Sequence, residues 1–260
     1  MRYMFLLSGD YADLAKQEVL SLFDAGKYKL CDKLLFVDLK NDGNLKLSKR
    51  LALTKNIYRL LFECNTNDLT EAMKSYDWNS VYKDNFCLRI HNLNNLDKNE
   101  ENNKIKAKNN EKIIQKTRTT SESIGYRSNP LAISSEKKMA NYIWSSVKRP
   151  KVNLENPRTK IEIFLYKGKA YCGLLIFENK EDFESRKSNL RPFSSPTSLH
   201  PKLARALVNL TGIMENEVLL DPFCGAGGFL IEAGLMGIKS VGYDINKIMI
   251  DGCRKNLEYF

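Results

Sequence analysis

Histidine is almost missing from this chain. His91 and His200 are the whole supply, too few for a histidine-based metal centre. The six cysteines, Cys31, Cys64, Cys87, Cys172, Cys224 and Cys253, include no Cys-x-x-Cys pair. That speaks against a zinc site or a disulfide framework and for reduced thiols in the cytoplasm. No run of about 18 apolar residues occurs, so no membrane span is expected. The apolar start Met1–Leu7 is short for a signal peptide and is followed at once by Asp10 and Asp13, so it reads as a first strand. No internal repeat is visible. Acid is also in short supply, 31 Asp and Glu against 41 Lys and Arg, for a net charge of +10. Such an excess points to a polyanionic partner. From Ser185 to Met214 the chain carries Arg186, Lys187, Arg191, Lys202 and Arg205 and no acid at all, a local positive surface of the kind a phosphate backbone needs.

What is present allows a real core: 43% of the 260 residues are hydrophobic, enough for one large or two ordinary domains. Residues 1 to about 39 read as strand, helix, strand, with Leu14, Ala15, Val19 and Leu22 at helical spacing and Gly26 as a cap. A helix is expected near Leu45–Thr54, a strand at Tyr58–Glu63, a helix from about Asn67 and a strand at Phe86–His91. From Asn92 to Lys116 the asparagines and lysines break any periodicity, the composition of a solvated insertion. A helix over about Ser134–Val147 and the hairpin Ile161–Tyr166/Ala170–Phe177 around Lys167-Gly168-Lys169 complete a small α+β module. The polar stretch from Asn179 reads as a linker. In the helix Leu199–Thr211, Pro201 suits the first turn. Leu203, Ala206, Leu207 and Leu210 form its apolar stripe, with Lys202, Arg205 and Asn209 on the opposite, polar face.

The most informative stretch is Asp221-Pro222-Phe223-Cys224-Gly225-Ala226-Gly227-Gly228-Phe229. Val218-Leu219-Leu220 ahead of it suits a buried parallel strand, and Phe229 to Met236 an apolar helix. The glycines let backbone approach a ligand closely. After Gly237 a second apolar run ends in Asp244. This is about 20 residues past the turn, where a doubly wound fold places a carboxylate for ribose hydroxyls. The Gly-x-Gly-Gly spacing is not that of dinucleotide enzymes. Asp221 at the strand end would repel a pyrophosphate but suits a cationic amine. S-adenosylmethionine, with an amine, a sulfonium and no phosphate, is therefore favoured over NAD. Cys224 has no partner base in the sequence and reads as a small packing residue, and His200 as a helix-start residue.

Asp221–Phe229, together with Arg191-Pro192-Phe193-Ser194-Ser195-Pro196-Thr197-Ser198-Leu199-His200-Pro201-Lys202-Leu203-Ala204-Arg205, resembles the THUMP-domain RNA methyltransferases. It is most similar to the archaeal enzymes that methylate the exocyclic N2 of guanosine 10 in tRNA. The resemblance runs the length of the chain. It implies an α+β N-terminal region, with an α/β subdomain over 1–45 and a THUMP RNA-binding domain over 46–178. After a linker at 179–190, residues 191–260 would begin a Rossmann-like, doubly wound methyltransferase domain. It implies S-adenosylmethionine as cofactor and tRNA as partner. On that resemblance Asp221 holds the methionine amine, and Gly225, Gly227 and Gly228 admit the cofactor, with Phe223 in the same set. Asp244 accepts from the ribose hydroxyls, Ile245 packs on adenine, and Thr197 and Ser198 border the methionine end. Lys148, Arg149, Arg186, Lys187, Arg191, Lys202 and Arg205 are the expected RNA contacts; no metal is implied.

The family also carries an Asp-Pro-Pro-Tyr-type motif that accepts hydrogen bonds from the target amine as it becomes positive. No such motif occurs up to Phe260, so no catalytic residue is assigned. The 260-residue chain alone is expected to transfer no methyl group and to have a weakly stable C-terminal region. Two other readings stay open: a tRNA-binding module or subunit without a catalytic half, and an rRNA or DNA amino-methyltransferase.

Overall fold

The computed structural model describes residues 1–23, 25–40, 42–95 and 130–260. The polar insertion expected over 92–116 lies outside the described residues from position 96 on. The chain divides into two compact units, Met1–Tyr58 with Ile176–Phe260, and Arg59–Leu175. Among the described residues no helix is long and apolar enough to cross a membrane.

The first unit opens with β1 (Arg2–Leu7), α1 (Ala12–Leu22), β2 (Tyr28–Cys31) and β3 (Leu34–Asp38). Strand β3 pairs antiparallel with both β1 and β2. Strand β2 is the element the sequence concealed. Three of its four residues are exposed, so it lacks the alternation that marks a half-buried strand. Asp32, at φ 51°, turns the chain between β2 and β3. Tyr3, Phe5, Val19, Leu22, Phe23, Leu35 and Val37 form the core here, with Phe5 and Phe23 edge to face at 5.3 Å.

The helix expected near Leu45 is instead a run of 3-10 turns, Asp42–Arg50, followed by β4 (Thr54–Asn65). The Glu18 carboxylate explains the difference. It accepts from the amides of Ala52 and Leu53, each at 2.8 Å, drawing the chain out of helical geometry where α1 crosses it.

The second unit contains α2 (Leu69–Ser75), β5 (Phe86–Asn92), α3 (Pro130–Ser146), β6 (Thr159–Tyr166) and most of β7 (Lys169–Glu178). Strands β6 and β7 form the expected hairpin, turning at Lys167 (φ 44°) and Gly168 (φ 74°), while β5 runs parallel to β6. Strand order is β2-β3-β1-β4 in the first unit and β4-β7-β6-β5 in the second, β4 and β7 belonging partly to each. Trp78, Phe86, Met139, Ile143, Ile161 and Ile163 fill the second core. The Trp78 indole donates to the Met73 carbonyl at 2.8 Å.

The first unit closes with α4 (Pro201–Leu210), β8 (Val218–Asp221), α5 (Gly228–Leu235), β9 (Lys239–Gly242) and α6 (Lys247–Tyr259). Strands β8 and β9 pair in parallel, with Asp221 opposite Gly242. His200 caps α4, its Nδ1 accepting from the Lys202 amide at 3.2 Å. The polar face expected for α4 is not a solvent face. Asn209 is fully buried and Arg205 only 2% exposed, because α4 is covered on two sides. Toward α1, Asn209 Nδ2 donates to Glu18 at 2.7 Å and to the Arg50 carbonyl at 2.8 Å. Toward α5, Arg205 donates to Glu232 at 2.8 Å.

Candidate cofactor site at the glycine turn

Parallel pairing of β8 and β9 brings two acids to adjacent carboxyl ends, where open α/β sheets receive ligands. Asp221 ends β8. Its Oδ1 accepts from the Phe223 amide at 3.1 Å, which shapes the turn, while its Oδ2 is buried and has no donor among the described residues. Asp244 follows β9. Its Oδ2 accepts from the Gly225 amide at 2.9 Å and its Oδ1 from the Asn246 amide at 2.8 Å. It therefore ties the turn to the start of α6 and still has lone pairs to offer.

The turn is compact because α6 leans on it. Gly227 has φ +83°, and a Cβ there would stand 2.6 Å from Cys253 Sγ; no other residue fits. A Cβ on Gly252 would stand 2.2 Å from the Phe193 ring, so that ring lies flush on the helix. The fully buried Asn256 joins these parts. Its Nδ2 donates to the carbonyls of Ala226 and Phe193 at 2.9 and 3.0 Å, and its Oδ1 accepts from the Phe193 amide at 2.9 Å. The sequence offered one muted sign of this role, an asparagine inside an otherwise regular helix, where it is a poor helix former. Burial pushes the Cys224 and Cys253 thiols up, Cys253 to about 12. They are packing groups and not nucleophiles.

A pocket opens along the turn, lined by Thr197, Ser198, Phe223, Gly225, Gly228 and Phe229 among others. The structure thus brings the Thr197-Ser198 stretch to the glycine turn. Phe223 is 85% exposed and Ile245 fully so, two large apolar side chains presented beside the turn. An orphaned carboxylate oxygen at the strand end, a close-packed glycine cradle and flanking apolar surface fit a cofactor with a cationic amine and an aromatic base.

The expected RNA contacts divide. Lys148 and Arg149 are exposed in the second unit. Lys202 pairs with Asp10 at 3.6 Å, and Lys187 with Glu184. Arg186, Arg191 and Arg205 are 8%, 6% and 2% exposed, which withdraws them from phosphate contact in this fold. Glu232 on α5, fully buried, receives Arg186 at 3.0 and 3.3 Å and Arg205 at 2.8 Å. Glu181 adds contacts at 2.9 and 3.4 Å. The two guanidiniums lie 5.2 and 5.1 Å from the Phe183 ring. Burial works against the Arg186 charge, but Glu232 and Glu181 outweigh it and raise its pKa. The acids absent from the local sequence come from elsewhere in the fold, and the stretch read as a linker is bound into the unit by these pairs.

Residues 188–260 match a family described as an RMKL-like methyltransferase domain. The chain is 32% identical over 267 residues to the tRNA (guanine(10)-N2)-dimethyltransferase of Methanothermobacter thermautotrophicus, covering 100% of this chain and 69% of that protein. It is 33% identical over 264 residues to the enzyme of the same name from Pyrococcus abyssi, covering 100% and 68%. In fold it is similar to TrmN from Thermus thermophilus, with a TM-score of 0.56 at 16% identity over 100% of this chain and 70% of that one. A methyltransferase solved in complex with SAH has a TM-score of 0.51 at 14% identity, over 99% and 71%.

Proposed function

We propose that this chain, which belongs to the tRNA (guanine(10)-N2)-dimethyltransferase family, acts in methyl transfer from S-adenosylmethionine to the exocyclic N2 of guanosine 10 in tRNA. Bound at the glycine turn, the cofactor supplies an electrophilic methyl group on a sulfonium. The observation that carries this reading is Asp221 Oδ2, buried at the end of β8 without a donor among the described residues, next to a turn in which Gly227 leaves no room for a side chain. A cationic amine satisfies it, and a phosphate does not.

The residues around the turn take separate roles. Asp221 holds the amine, and Asp244 uses its free lone pairs for ribose hydroxyls while its bonds to Gly225 and Asn246 fix its position. Ile245 and Phe223 offer apolar faces to the adenine, and the backbone at Gly225, Gly227 and Gly228, bare of side chains, lets the methionine end approach closely. Thr197 and Ser198 border that end across the pocket. Holding the donor this rigidly is the protein's main lever for an in-line displacement, since the guanine amine is a weak nucleophile and alignment must lower the barrier.

The THUMP reading of residues 46–178 supports an RNA-binding role, with Lys148 and Arg149 as phosphate contacts. Six free cysteines suit a reducing cytoplasm. The test is incubation of the complete gene product with methyl-labelled cofactor and tRNA transcripts. Label should appear in a transcript with guanosine at position 10 and be lost when that base alone is changed to adenosine. Equal labelling of both transcripts overturns the assignment.

A further inference from the structure

Arg191 is the unexplained charge beside this site. Its Nε donates to the Arg186 carbonyl at 2.8 Å, which fixes the guanidinium. Nη1 and Nη2 are both buried and have no acceptor among the described residues, on a side chain 6% exposed overall. Glu232, whose charge bears on Arg191, is already engaged by Arg186 and Arg205. A buried cation with two unsatisfied nitrogens is among the costliest arrangements a folded chain can hold.

Its location gives the reason. A Cβ on Gly228 would lie 3.7 Å from Arg191 Nη1. Gly228 begins α5 and lines the pocket with Thr197 and Ser198. Arg191 Nη1 and the start of α5 therefore stand side by side at Gly228, a guanidinium beside the positive end of a helix. At the strand end of the same turn, Asp221 Oδ2 is a buried acceptor with no donor among the described residues. The turn thus holds an unfilled negative group at its start and an unfilled positive group at its end. The complement is a molecule with an ammonium and a carboxylate on one carbon.

We propose that Arg191 is a cofactor-binding residue, its guanidinium and the α5 N-terminus together receiving the carboxylate of the cofactor's amino-acid end. This rests on the cofactor reading above, and it replaces the expected phosphate contact. Gly228 takes part by placing no side chain beside Nη1.

The experiment compares two probes by calorimetric titration of the full protein. S-adenosylhomocysteine carries the amino-acid end; 5′-methylthioadenosine keeps the adenosine and thioether without it. Arg191→Met should weaken S-adenosylhomocysteine on the order of tenfold or more, as expected for a lost charged hydrogen bond, and leave methylthioadenosine unchanged. Arg191→Lys should recover part of the loss. If both probes weaken equally, or neither does, Arg191 is structural and the proposal fails while the cofactor reading stands. If the unmodified protein binds neither probe, the cofactor reading fails and takes this one with it. Should Arg191→Met not fold, Gly228→Ala serves instead. Its methyl group would stand 3.7 Å from Nη1, in the space the carboxylate would take, so the same selective loss supports the proposal and unchanged affinity overturns it.

Discussion

At the residue scale, two carboxylates show how partners decide what a charge does. Asp221 has one oxygen spent on the turn and one left over. Asp221→Asn keeps the bond to the Phe223 amide and removes the charge. Cofactor affinity should fall by about 1.5–3 kcal/mol, the worth of a charge-assisted hydrogen bond, while thermal stability holds or rises. Equal affinity for the cofactor in both proteins would refute the assignment. Glu18, by contrast, has every oxygen engaged: Oε1 by Ala52 and Asn209, Oε2 by Leu53. Burial still pushes its carboxyl above the ordinary value of 4.5, outweighing those hydrogen bonds. A raised folded pKa means that the folded chain binds more protons than the unfolded one in that window. This contribution to stability therefore falls as pH rises above 4.5. Wild type should lose Tm relative to Glu18→Gln over that rise, and parallel Tm curves for the two proteins would contradict it.

At the element scale, helix α5 is held at both ends of its first two turns by groups from other elements. Glu232 receives arginines from the 181–191 stretch and from α4, and Asn256 of α6 fixes the turn ahead of the helix. Glu232→Ala leaves Arg186 and Arg205 buried without their main partner. The cost should be about 3–5 kcal/mol, read from urea unfolding, with faster amide exchange along Phe229–Leu235. A loss under about 1 kcal/mol would mean that Glu181 alone suffices for both arginines. Helix α4, which packs on α5 through Arg205, shows why periodicity misled. The pattern of α4 is amphipathic, and Lys202, Arg205 and Asn209 do share a face, but a polar face marks solvent only when nothing packs on it. Here α1 and α5 each supply a carboxylate to receive it, so the helix is buried on its polar side through Glu18 and Glu232.

At the scale of the whole molecule, the +10 charge is real, but its location differs from its place in the sequence. In the acid-free basic run from Arg186 to Arg205 the three arginines are turned inward, whereas Lys148 and Arg149 stay exposed. Lys148→Ala and Arg149→Ala should each reduce the slope of log tRNA affinity against log salt by about one. Arg205→Ala should leave the slope unchanged and lower stability instead. The reverse pattern in salt titrations would restore the arginine to the RNA-binding surface.

Legible in the sequence were local parts: most of the strands, the turn of the β6–β7 hairpin, and the order strand, glycine turn, helix, strand from Val218 to Gly242. Those features depend on neighbours in the chain, and near-neighbour physics reads them correctly. Strand β2 escaped because an edge strand with three exposed residues has no pattern to read. The Asp42–Arg50 turns escaped because Glu18, far away in sequence, captures the amides that follow them. Which charges face water depends on contacts distant in sequence, since Arg186 meets Glu232 across 46 positions and Arg205 meets it across 27. The same packing buries Arg191, one basic residue among many in the sequence, beside the glycine turn with Nη1 and Nη2 unpaired among the described residues.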